Sequence, residues 1–334
     1  MGKLYTGIDI GGSQIKFAVC ESGGGIRHTA SYPVPQNLVQ EGRIVSFEAM
    51  SKLIGTAARE LKIHNRNSAV LLPASLAFTR RFSLPMMTIE QLKLNLPYEF
   101  RDYITEETDK HVYDYAVLGT SKNKSGQQEL DLMAAAAKKS TIASYFALLR
   151  QAGFRLRTAV PVELAYGNLL RRYEADHPSE GSREYCILDL GCHATRVHIF
   201  TGSRFEVTRV IDHGCAALDT AIADTLRVDE HIAESYKISN HDDVQSLESC
   251  RNVYHSIAIE IMRAVNFYSF NNQASHLEEA YYCGGGSRIK LLLEDISLTA
   301  GLKLCSIADL MPKVVEEQKE QLLLYPAAVG ITQQ

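Results

Sequence analysis

Residues 7–19 read GIDIGGSQIKFAV, and residues 187–199 read ILDLGCHATRVHI. Laid over each other at an offset of 180, Asp9 meets Asp189, Gly11 meets Gly191 and Lys16 meets Arg196, with apolar residues flanking both in the same places. A short turn follows each copy, at 22–25 and at 201–203. Each copy then enters another strand-like run, 26–34 and 204–211. Strand, Asp-x-Gly turn, strand, turn, strand is a β-hairpin layout written twice. Two related halves facing each other is the economical reading.

Composition agrees with that reading. A chain of 334 residues suits two domains, and 46% apolar residues supply a sizeable core. Thirty-five Lys and Arg against 39 Asp and Glu give −4, which argues against a sequence-independent grip on nucleic acid. No uncharged apolar run reaches the roughly 18 residues of a membrane span. The N-terminus reads straight into a strand and lacks the layout of a signal peptide. The seven Cys are scattered without a C-x-x-C pair, so neither a disulfide framework nor a zinc site is indicated. A cytoplasmic protein is expected.

Between the copies, apolar spacing predicts a helix over 47–61, a buried strand at 69–72 and a strand over 75–84. Thr88–Gln91 fits a capping box opening a helix through 104, which Pro97 should kink or interrupt. Strands at 113–118 and 130–137 flank a polar loop at 121–128, and a further helix stops at Gly153. After the second copy come helices at 216–226 and 253–270 and a strand at 280–283. Gly284-Gly285-Gly286 then leads to a helix at 289–293, and a short helix closes at 326–330.

In Asp9-Ile-Gly-Gly-Ser-Gln-Ile-Lys16 a carboxylate ends a strand and two glycines form the turn. Glycine lets backbone N–H groups approach an anion closely. Ser13 adds a hydroxyl donor and Lys16 a positive charge, while Asp9 suits Mg²⁺ held through water. The second copy, from Asp189 to Thr195, would cradle the other side of the same polyphosphate, with Asp189 the second water-mediated Mg²⁺ partner. A lone copy would read as an ordinary glycine hairpin turn; two matched copies read as a phosphate clamp. The Gly284–Gly286 turn between a strand and a helix is a third anion-proximal element. No G-x-x-x-x-G-K-[ST] and no dinucleotide fingerprint is present.

Three glycine turns in this order resemble the actin-like ATPase superfamily. Short helices at 161–170 and 326–330 stand where that superfamily has its two connecting helices. Within it the chain is most similar to the type IV pilus assembly family PilM. The similarity is carried by the D-I-G-x-S-x-I-K opening, AVLLPASLAFTRRFSLP at 69–85, E-x-x-x-Y-I at 99–104, Y-x-V-L-G at 115–119, A-A-A-K-K at 135–139, L-x-x-A-G-F at 149–154 and E-I-x-R-x-x-x-F-Y at 260–268. The resemblance implies an α/β, ribonuclease H-like fold of two actin-like halves. Half one is 1–171 plus 323–334, with an FtsA-type inserted α+β subdomain at about 76–155; half two is 172–322. It implies ATP with Mg²⁺ at Gly11, Gly12, Ser13, Lys16, Gly191, His193, Ala194, Thr195, Gly284, Gly285 and Gly286, with Arg263 reaching adenine or ribose. It implies as partner the cytoplasmic N-terminal segment of a PilN-like membrane protein, in a groove between half one and the insert, so that the chain is recruited to the membrane's inner face.

The chain departs from the family at Arg196, where an acidic residue is frequent, and at His193, where a small polar residue is usual. Glu163 is the candidate to activate water for hydrolysis; its plain alternative is an exposed helix-start glutamate that complements the helix dipole. Two other functions compete. D-I-G-G-S-x-I-K also resembles the opening of glucokinase-type small-molecule kinases, but their mid-chain N-D motif and Cys/His zinc cluster are not found. FtsA-like division proteins end in a basic amphipathic helix, whereas this chain ends Ile331-Thr-Gln-Gln334. Whether ATP is hydrolysed, whether copies of the chain associate, and whether the machine is a pilus, a competence or a secretion system stay open at this level.

Overall fold

The computed structural model describes residues 3–333 except 23, 41, 105–106, 124, 179–180 and 274; Gly23 of the expected turn at 22–25 and Lys124 of the polar loop at 121–128 thus lie outside the described residues. The chain opens with β1 (Leu4–Ile10), β2 (Gln14–Glu21) and β3 (Ile26–Pro33), the small hairpin β4 (Val39–Gln40) and β5 (Arg43–Ile44), then α1 (Phe47–Glu60) and β6 (Asn67–Leu72). It continues through β7 (Ala77–Pro85), α2 (Ile89–Glu99), β8 (His111–Lys122) and β9 (Gln128–Lys138), and returns by α3 (Lys139–Gln151) and β10 (Arg155–Pro161). Helix α4 (Val162–Asp176) leads to β11 (Glu184–Leu190), β12 (Thr195–Thr201) and β13 (Arg204–Ile211). There follow α5 (Ala216–Leu226), α6 (Glu230–Ser239), α7 (Glu248–Asn271), β14 (Glu279–Cys283), α8 (Lys290–Ala300), β15 (Lys303–Ser306), α9 (Lys319–Leu322) and α10 (Pro326–Gly330).

The two five-stranded sheets have one topology. The first runs β3-β2-β1-β6-β10, the second β13-β12-β11-β14-β15, in each case three antiparallel strands followed by two parallel ones. Even the irregularities repeat: the register shifts between Val19 and Cys20 in one hairpin and between Ile199 and Phe200 in the other. A bulge adds local twist and is a built feature of a hairpin, so its recurrence at matched positions marks a true structural repeat.

Helices α4 and α10 lie between the sheets. Tyr166, Leu169 and Leu170 of α4 and Ala327 to Val329 of α10 share one apolar cluster with Ala18 and Cys20 of the first sheet and Tyr185, Ile187 and Phe200 of the second. Close approach depends on glycine. A Cβ on Gly7 would overlap Ala328 O, and one on Gly330 would overlap Ala165 O. In the same layer His198 of β12 is fully buried, its Nδ1 2.7 Å from Thr208 Oγ1 and its ring 5.0 Å from that of Tyr166. Burial and the nearby Arg196 push its pKa down to about 3. The unfolded chain therefore takes up this proton first, and stability falls as the pH drops below about 6.5. Urea unfolding at pH 7 and pH 5 should differ by on the order of 2 kcal/mol from this residue. His198→Asn should flatten that slope, and an unaltered slope would acquit His198.

The three-stranded sheet β7-β9-β8 stands apart with α2 over one side. The capping box is made in full: Thr88 Oγ1 accepts from Gln91 N, and Gln91 Oε1 accepts from Thr88 N at 2.9 Å. The helix ends at Glu99, short of the expected 104. Pro97 withholds a hydrogen-bond donor two residues earlier, and Phe100 turns in beneath Phe82 and Tyr113. Helix α3 buries Tyr145, Leu148 and Leu149 in the core of the first sheet, beside Met50 and Ile54 of α1.

Candidate functional site

The two Asp-x-Gly turns face each other between the halves. In each, the aspartate pairs in register with a basic residue on the next strand, Asp9 with Lys16 and Asp189 with Arg196. Lys16 Nζ lies 3.4 Å from Asp9 Oδ2, with 21% and 14% of the two side chains exposed. Burial alone would push the Lys16 ammonium down, but Asp9, Asp189 and Cys283 outweigh it and hold its pKa above the ordinary value. Lys16 thus feels both carboxylates, while Arg196 stands opposite Asp189 on β12. Tyr166 and Cys283 form the floor, hydroxyl to thiol 3.5 Å, and both feel the charges of Asp9 and Asp189. Both aspartates act on Lys16, Tyr166 and Cys283, so they converge on one set of side chains.

Above the floor the loop tips meet. A Cβ on Gly12 would sit 2.9 Å from His193 Cδ2 and 3.1 Å from its Nε2, so the exposed imidazole lies directly on that glycine. Ser13 lies against the Cys192 thiol. Behind the tips the turns are closed by Gly11 N–H donating to Gln14 O at 2.9 Å and Gly191 N–H donating to Ala194 O at 3.1 Å. Thr195 is buried at the base of the second loop.

The third turn completes the crevice. Gly284 has φ +88°, and a Cβ there would come 2.8 Å from Asp189 Oδ1 and 2.6 Å from Leu190 O, so only glycine suits the position. A Cβ on Gly286 would reach Cys215 Sγ at 2.5 Å, whereas Gly285 is exposed with open space beside it. Bare backbone from three turns, one ammonium and two carboxylates can hold a polyanion together with a hard divalent cation.

Two expected residues are placed differently from this group. Arg263 is on the outer side of α7, 66% exposed and paired with Glu260 of the same helix. Glu163 does stand on the first turn of α4, but it is buried at 5% exposure instead of exposed, and its Oε2 has no hydrogen-bond partner among the described residues. Burial pushes its carboxyl up, against the pull of its own N–H, Arg196 and Arg80.

Sequence reasoning passed over Tyr166 and Cys283. Tyr166 reads as one more core position of an amphipathic helix. Cys283 acquires meaning only from its parallel pairing with Asp189. The tandem Arg80-Arg81 in β7 carried a signal, two adjacent cations in a strand, that apolar periodicity ignores.

The sequence profile described as type IV pilus assembly protein PilM matches residues 7–327. No curated protein matches the chain. Among solved structures, one titled as the PilM–PilN type IV pilus biogenesis complex superposes with a TM-score of 0.80 at 22% identity, over 98% of this chain and 97% of that one. The ethanolamine utilization protein EutJ from Carboxydothermus hydrogenoformans gives 0.60 at 14% identity, over 100% and 90%. A ROK family glucokinase from Streptomyces griseus, in complex with glucose and AMPPNP, gives 0.51 at 14%, over 99% and 98%. The fold is the actin-like two-domain α/β fold, and among the described residues no helix is long and apolar enough to cross a membrane. Matched over nearly its whole length, the chain belongs to the type IV pilus assembly protein PilM family.

Proposed function

We propose that this chain is a nucleotide-loaded cytoplasmic adaptor of a type IV pilus machine, or of a related secretion or competence machine, that binds the N-terminal segment of a PilN-like inner-membrane protein. The observation that carries the reading is the family match over 7–327, supported by likeness in fold to a PilM captured in a PilM–PilN complex. We take the halves as 1–171 with 323–334 and 172–322. Within the 76–155 stretch, β7 to β9 form the inserted unit and α3 is assigned to the first half, whose core it fills.

The residues of the crevice fit Mg·ATP. At Gly12, Gly284 and Gly286 a Cβ would overlap protein atoms already in place, so the turns present bare backbone, and only Gly285 among these four has open space beside it. Gly11, Gly12, Ser13, Gly191, His193 and Ala194 would face the phosphates, with Lys16 as the cation. Asp9 and Asp189 would hold Mg²⁺ through water. When bound, the ion neutralises phosphate charge. The buried Glu163 is the residue to which slow turnover would fall.

For the peptide, the surface we take is a groove of about 1110 Å³ between α1 and α3, which lies within the first half and not, as the resemblance implied, between that half and the insert. Its floor is small (Gly55, Ala147, Ala152), which admits a peptide backbone closely, and its rim carries Lys52, Arg59 and Arg66. Titrating the pure protein with a synthetic N-terminal segment of its PilN-like neighbour, with and without Mg·ATP, tests the reading. Binding is expected, weakened about tenfold or more by Ala147→Trp. No binding in either condition removes the adaptor role. Sugar-dependent ADP release would favour a kinase instead.

A further inference from the structure

Of two consecutive arginines of β7, Arg80 lies over the Tyr103 ring within the insert and Arg81 reaches out of it. Arg81 donates Nε to Asp131 Oδ1 and Nη2 to Asp131 Oδ2, both at 2.7 Å, a bidentate pair between β7 and β9. Its third nitrogen, Nη1, crosses to Glu206 of β13 at 3.2 and 3.4 Å. Arg204 Nε holds the same carboxylate at 3.1 Å. Arg80, one residue earlier, lies within electrostatic reach of the buried Glu163 at the start of α4, which Arg196 of the second half also attracts.

Apolar packing does not do this job. Both apolar clusters of the insert consist wholly of insert residues. The two clusters that hold the second half contain none of them. Among the described residues the insert and the second half share no apolar cluster, and the Arg81–Glu206 ion pair crosses between them. A cavity of about 760 Å³, lined by Arg81, Arg204, Glu206 and Tyr268 among others, borders the bridge. Charges beside open space can separate and re-form without repacking a core, whereas close-packed side chains cannot.

We propose that the Arg81–Glu206 bridge couples the insert to the opening and closing of the crevice. The proposal deepens the adaptor reading and rests on it, naming how the nucleotide and peptide sites sense each other. Asp131 fixes two of the three guanidinium nitrogens, so Nη1 is already aimed across the gap. The bridge is made in the state in which Gly12 and His193 touch. Rotation of the second half past α4 and α10 carries β13, and Glu206 with it, relative to the insert. A contact present in one state and lost in the other is what lets a ligand at one site change affinity at a distant one, reciprocally.

Glu206→Gln removes the charge of the bridge and leaves the Arg81–Asp131 pair in place; Arg81→Gln serves as a second variant. Hydrogen exchange of the β7 amides, followed with and without Mg·ATP, is the first measurement. Slowing of about fivefold is expected in the wild type and less than about twofold in either variant. Equal slowing in all three, or none in the wild type, overturns the proposal. The second measurement is the ratio of peptide affinities with and without Mg·ATP, expected to drop from about tenfold to about one in Glu206→Gln. A ratio that survives in Glu206→Gln also overturns it. Should the wild type bind no peptide while its exchange response still needs Glu206, the peptide reading fails and the bridge stands.

Discussion

Lys16→Ala is expected to weaken Mg·ATP binding by about tenfold to a hundredfold, the span of one lost charge-assisted hydrogen bond of roughly 1.5–3 kcal/mol. The effect has two parts. The ammonium that would meet the phosphates is gone. Asp9 and Asp189, which share that ammonium, are left to repel each other and any incoming anion. Lys16→Arg should restore part of the affinity. Because the pKa of Lys16 stands above its ordinary 10.5, its pairing with the aspartates is complete at neutral pH and is lost only as the pH rises through that raised value. The Lys16→Ala deficit should therefore be flat from pH 6 to 8. Isothermal titration of a variant shown to be folded decides the matter; undiminished affinity would mean that the turn is not a phosphate site.

Gly7→Ala and Gly330→Ala should each destabilise the protein by about 3 kcal/mol or more, the upper range for overpacking a core. A methyl at either position runs into a backbone carbonyl of the central helices, Ala328 O or Ala165 O, and backbone cannot step aside as a flexible side chain can. The strain falls on the packing of α10 against β1 and α4, which joins the halves. Gly119→Ala on β8 is the matched control, since nothing lies within 4 Å of a Cβ there, and it should stay within about 0.5 kcal/mol of the wild type. Denaturant midpoints read the difference, and a stable Gly330→Ala would show that the helices can part there.

Much of the architecture could be read from local pattern. The hairpins, their turns and the capping box at Thr88 are written in neighbouring residues. Element ends were less legible. Helix α7 starts at Glu248, ahead of the expected 253, because its first turn is polar and apolar spacing does not register it. Helix α8 runs on to Ala300, past the exposed Glu294 and past Asp295, a polar residue half-buried beside His255 of α7, neither of which apolar spacing registers. Strands β8 and β9 extend beyond their apolar centres, since ladder hydrogen bonds do not distinguish polar from apolar side chains.

The site divides along the same line. Two Asp-x-Gly hairpins and a triple-glycine turn are legible in the residues, because alternation and glycine act over short spans. What those turns meet emerges on folding: the imidazole of His193 on Gly12, Tyr166 against Cys283, a buried Glu163, and Arg81 bonded to a carboxylate 125 residues away. Such encounters depend on how the chain closes over long loops. No local propensity encodes a partner at that distance.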